Sequence, residues 1–212
     1  MVTTTRLAAG MVLTVALSAG APFAAQPPFG GDDTGFDPPA KSALERCENG
    51  VAKAVSKLTV RLIKCRSDRA SGKTIGAAGE QECRAVARTK FNATKTLGCA
   101  PCTDLLSIGS AIGAIVAEGS GQVYCAAGTP FDGAGTTTGN IPADAPKGPV
   151  TWCENRVGKG VGKLAAAVIK CHIARASGKT TDEVGEEACE QAAITKFTAK
   201  TKVTGCDVCT SL

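Results

Sequence analysis

Between residues 42 and 70 the apolar positions are Cys47, Val51, Val55, Leu58, Leu62 and Cys65, in steps of four, four, three, four and three. Steps of this kind keep side chains on one face of a 3.6-residue helix, so the stretch is predicted to be amphipathic and helical. Lys53, Lys57, Arg61 and Lys64 fall on the opposite side, with Arg66 and Arg69 further along. Ser42 followed three residues later by Glu45 has the form of a capping box, and Ser71-Gly72 supplies the glycine that commonly closes a helix. A second helix is predicted from about residue 79 to 97, with Cys83, Ala87, Phe91 and Thr94 inward.

The pattern then returns. Cys153, Val157, Val161, Leu164, Val168 and Cys171 repeat the first stripe, and a partner helix follows Thr180, which has capping-box spacing to Glu183, running to about residue 204. Shifting residues 47–91 by 106 positions onto 153–197 gives 24 identities in 45 positions, and one inserted residue then aligns Cys99-x2-Cys102 with Cys206-x2-Cys209. An internal repeat of this quality governs the architecture. Gly98 and Gly205 stop the second helix of each copy before its paired cysteines. Residues 103–118 read as a further helix, capped by Thr103 or Asp104 and carrying Leu105, Leu106, Ile108, Ile112, Ile115 and Val116. It is expected to pack between the hairpins; the second reading is an exposed helix that joins two copies.

The expected fold is all-α: two disulfide-stapled helical hairpins in tandem, plus one apolar connecting helix. Along the chain this gives a signal peptide (1–25), a Pro/Gly/Asp-rich leader (26–41), the first hairpin (42–102), the connecting helix (103–118), a Gly/Thr/Pro linker (119–150) and the second hairpin (151–212). The signal reading rests on a short apolar run after Arg6, followed by small residues at Ala24-Ala25. It is shorter than the about 20 apolar residues of a membrane span. A secreted, periplasmic or cell-envelope location follows.

Export changes how the 11 cysteines are read, because thiols in an oxidising compartment become disulfides. A hairpin folding near residue 74 sets Cys65 opposite Cys83, nine residues away on either side. It brings Cys47 to the Cys99/Cys102 pair, with Cys99 preferred only narrowly. By duplication Cys171 pairs with Cys189 and Cys153 with Cys206. Cys102, Cys125 and Cys209 remain. Pairing Cys102 with Cys125 leaves Cys209 odd and open to a homodimer bridge. The alternative is a thiol–disulfide or metal-binding role for the Cys-x2-Cys pairs. They lie too far apart in sequence for one obvious zinc site, and their equivalent places in two repeats already account for them.

Only 4% of the residues are aromatic, so the core is aliphatic and thin and gains from cross-links. The formal charge of +5 is uneven, at +7 over residues 47–102 (eleven basic, four acidic) against +2 over 153–209 (nine basic, seven acidic). Lys53, Lys57, Arg61 and Lys64, with Arg84 and Arg88 on the partner helix, are the candidate anion-binding face. Its expected partners are an anionic polysaccharide or lipid headgroups rather than a nucleic-acid sequence.

No catalytic set, cofactor or metal site is expected. Asp33-Thr34-Gly35 has no second copy, and Ser71-Gly72-Lys73-Thr74 lacks the earlier glycine of a phosphate loop. His172, the sole histidine, stands where the first copy has Arg66, which rules out a general base common to both. Gly158, Gly160 and Gly162 give a helix surface of small residues, with a close packing contact as a second reading. The residues Lys57-Leu58, Ile63-Lys64-Cys65, Cys83, Lys90-Phe91 and Cys99, repeated at Lys163-Leu164, Ile169-Lys170-Cys171, Cys189, Lys196-Phe197 and Cys206, resemble a class of uncharacterised exported bacterial proteins. That class has Lys/Ala-rich, Cys-containing helical repeats, and the resemblance implies export and an all-helical fold. The expected function is a non-catalytic structural or binding module.

Overall fold

The structure is a computed structural model that describes residues 42–74, 76–99, 103–124 and 148–201. The described residues form five helices: α1 (Ala43–Ala70), α2 (Gly76–Asn92), α3 (Leu105–Val123), α4 (Pro149–Ala176) and α5 (Glu183–Thr201). Among the described residues there is no strand. The fold is therefore all-α. The expected signal peptide, leader and most of the linker lie outside the described residues, as do Cys102, Cys125, Cys206 and Cys209.

Local chemistry sets the helix ends. At α1 the Glu45 N–H donates to Ser42 Oγ at 3.0 Å, so the cap read from the sequence forms. Ser71 and Ser177 occupy the C-cap positions of α1 and α4, and the following Gly72 and Gly178 take φ of 68° and 66°, where a side chain would be strained. α4 opens two residues before the expected start of its hairpin, on Pro149, whose missing N–H costs nothing there. At α5 the cap is Asp182 instead of Thr180: Asp182 Oδ1 accepts the Gly185 N–H at 2.8 Å. α2 ends at Asn92, short of the predicted 97. A turn carrying Gly98 at φ 86°, over Ala43, brings Cys99 back to Cys47.

α1 is the centre. It buries 15 of its 28 residues, because α2, α3 and α4 all pack on it. The main core joins Cys47, Val51, Val55, Leu58, Leu62 and Ile63 of α1 to Ala87 and Phe91 of α2 and Val116 of α3. Disulfides Cys65–Cys83 and Cys47–Cys99 tie this unit, and Cys171–Cys189 ties α4 to α5. Cys153 is also in a disulfide, while its expected partner Cys206 lies outside the described residues. These bonds fit an oxidising surrounding. Among the described residues no helix is long and apolar enough to cross a membrane.

α1 and α4 pack antiparallel and reciprocally. Asn155 Nδ2 donates to Ser71 Oγ at 2.8 Å, and at the other end Asn49 Nδ2 donates to Ser177 Oγ at 3.2 Å. The glycine face of α4 allows this approach. A Cβ on Gly162 would stand 3.6 Å from Ile63, and one on Gly158 would stand 3.2 Å from Tyr124 Oη.

α3 is placed differently from the expectation. It lies on α1 and α2 and only touches α4. Leu105, Ile108 and Ile112 pack on the core, and Gly109 sits against Phe91. Leu106 and Ile115 face outward, at 68% and 63% exposure. Its N-terminus is capped by Asp104, whose carboxyl is held below the usual range by the Ser107 hydroxyl and the Leu106 N–H. At its other end Tyr124 is buried and donates to Asn155 Oδ1 at 2.8 Å. Burial raises the Tyr124 phenol far above its ordinary value.

Candidate functional site

The basic face predicted on the first hairpin is divided in the structure. Lys53, Lys57 and Arg61 are exposed on α1, and Lys64 is exposed but paired with Asp68 of the next turn. Arg66 is not on this surface: it is 1% exposed. It turns inward with Arg69 and Arg84 toward the buried Glu80, at 3.7 Å from Arg66, 3.0 Å from Arg69 and 3.8 Å from Arg84. Burial lowers the Arg66 pKa, and the Glu80 carboxylate opposes that fall. Arg88 leaves the stripe in another way. Its guanidinium lies over α3, 2.5 Å from where a Cβ on Gly113 would stand. Four of the expected six cations, Lys53, Lys57, Arg61 and Arg88, therefore stay exposed with no ion pair among the described residues, the first three along one face of α1.

Cations converge instead between α4 and α5. α4, α5 and the C-terminal turn of α1 enclose a groove of about 1120 Å³. Its lining includes Lys73, Arg156, Lys159, Lys163, Lys196 and Lys200, with no Asp or Glu among the described residues. Leu164, Ala167, Ala193 and Phe197 form an apolar floor, and Trp152 stands at the margin with the Arg156 guanidinium 5.3 Å from its ring centre.

The duplication accounts for the shape. Leu164, Ala193 and Phe197 correspond to Leu58, Ala87 and Phe91, which are 1%, 3% and 3% exposed under α3. On the α4/α5 side α3 has no counterpart among the described residues, and the equivalent side chains are partly exposed. A surface that the first unit buries under its own helix is a concave wall in the second.

A cavity with an apolar floor and a ring of one charge suits a ligand with an apolar body and an anionic group. Water-excluding walls concentrate the field of the cations at the mouth, which draws anions in. None of the groove residues was identified from the sequence as a site. The available signal was that Lys159, Lys163 and Lys196 keep the lysines of Lys53, Lys57 and Lys90, whereas Lys200 stands where the first copy has Thr94.

Of the two Cys-x2-Cys pairs only Cys99 lies within the described residues. Cys99 is bonded to Cys47, so it is not paired with Cys102. The chain matches no protein-family model, and neither a curated protein nor a solved structure is detectably similar to it.

Proposed function

We propose that this chain is an exported, non-catalytic binding module. Two duplicated, disulfide-stapled hairpins dock through α1 and α4, and the second holds an amphipathic anion, a phosphate or carboxylate on an alkyl body, between α4 and α5. The observation that carries this reading is the groove itself, with six cationic side chains and no acidic one among the described residues around an apolar floor. It replaces the exposed face of α1 as the favoured anion site, because Lys53, Lys57 and Arg61 do not line this groove. The duplication is supported by the reciprocal Asn–Ser bonds, and export by the disulfides and the N-terminal sequence.

Trp152 is the only tryptophan of the chain and lines the groove, so its emission reports occupancy directly. Titration with dodecyl phosphate is expected to shift that emission to the blue, saturably, and more weakly as salt is raised. Lys163→Gln with Lys196→Gln should weaken the response at least tenfold, while Lys53→Gln, Lys57→Gln and Arg61→Gln together leave it unchanged. Absence of a saturable response overturns the groove assignment. So does heparin binding that needs Lys53, Lys57 and Arg61, which would return the site to the first hairpin.

A further inference from the structure

The two repeats solve one buried position with opposite charge. In the first, Glu80 on α2 is met by Arg66, Arg69 and Arg84, three cations for one carboxylate. The equivalent positions of the second are Glu186, His172, Arg175 and Glu190. Arg66 has become His172 and Arg84 has become Glu190, so two cations are replaced by an imidazole and a second carboxylate. With the imidazole neutral, the sum at this point moves from +2 to −1.

The side chains that result converge, with the imidazole standing between the two carboxylates. Glu186 and Glu190 stand four residues apart on one face of α5, and His172 projects between them from α4. Arg175 Nη1 donates to Glu186 Oε2 at 2.9 Å, which leaves Oε1 directed at His172 Nδ1. On the other side His172 Nε2 is 3.2 Å from Glu190 Oε1. That oxygen is buried and accepts no hydrogen bond among the described residues. One donor atom from each of the three residues lies within 4.8 Å of the others. The nearby Cys171–Cys189 disulfide fixes the two helices against one another, and the 49% exposure of His172 leaves a path from solvent.

We propose that Glu186, Glu190 and one ring nitrogen of His172 bind a divalent transition-metal ion once the imidazole turns from its place between the two carboxylates, with Arg175 holding Glu186 in place and water completing the coordination. One imidazole and two carboxylates are a nitrogen–oxygen donor set suited to zinc. The ion supplies the positive charge that Arg66 and Arg84 supply in the first repeat. This site is separate from the anion groove, and neither proposal depends on the other.

The test is calorimetric titration of the full, disulfide-bonded protein with zinc chloride after alkylation of any free thiol, so that cysteine ligands do not contribute. One zinc per chain is expected, with affinity falling at acidic pH because the ligands must lose their protons. Glu190→Gln should weaken binding at least tenfold, and Arg175→Gln by about 10–100-fold, as for loss of an outer-shell partner. His172→Arg with Glu190→Arg restores the pattern around Glu80 and should abolish binding. Circular dichroism reports whether that variant keeps its helices; if it does not, Glu190→Gln decides. No zinc bound by the alkylated wild type, or zinc bound equally by Glu190→Gln, overturns the site.

Discussion

Glu48 shows what burial does to one acidic residue. It is 4% exposed on α1, and neither carboxylate oxygen has a hydrogen-bond partner among the described residues. Loss of hydration raises its pKa from 4.5 to about 7. The folded chain therefore holds this proton more tightly than the unfolded one. The stabilising contribution is complete at pH values below about 4.5 and is lost as pH rises toward about 7. Glu48→Gln keeps the shape without the charge. In thermal melts the wild type should lose about 1–3 kcal/mol between pH 5 and pH 8 that the variant keeps. Equal pH dependence in the two proteins would refute this. Cys65–Cys83 was legible at this scale because equal distances from a turn determine the pairing. Arg66 was not legible as buried. It follows Cys65 on a stripe judged only from apolar residues, and its partner Glu80 is on another helix. The exchange of Arg66 and Arg84 for His172 and Glu190 was visible in the aligned repeats. Its meaning required knowing that all four converge.

Among elements, the α1–α4 contact depends on glycines that act by what they lack. At Gly162 a Cβ would rest at ordinary contact distance from Ile63, while at Gly158 it would press the Tyr124 hydroxyl, itself bonded to Asn155. Gly162→Ala is thus expected to stabilise the protein by up to about 1 kcal/mol through helix propensity. Gly158→Ala should lose that gain and cost about 1–2 kcal/mol by disturbing Tyr124. Chemical denaturation of both variants checks the contrast, and equal effects would refute it. A run of small residues along α4 was legible, whereas the helix it packs on was not. Ridge-to-groove fit between elements distant in sequence leaves no periodic trace. The same limit concealed the groove, which exists because α3 covers α2 but not α5.

For the whole molecule, the helices among the described residues, their stripes and the bridges Cys47–Cys99, Cys65–Cys83 and Cys171–Cys189 were readable because each depends on spacing within about 50 residues. Docking of α1 on α4 and the one-sided placement of α3 were not, since they depend on which of several apolar faces meet. The cross-links also decide how the molecule responds to being pulled. Tension applied through Cys47 passes across the disulfide to Cys99, a separation of 52 residues. α1 from that point, the turn and all of α2 are bypassed. Roughly 170–190 Å of contour length is thereby withheld from extension. Stretched between its ends, an oxidised molecule should release none of this length, and a reduced one should release it as an added step. If the oxidised and reduced molecules extend alike, the first hairpin is not mechanically shielded. A chain built this way can unfold its other parts under load while its central helix bears no tension.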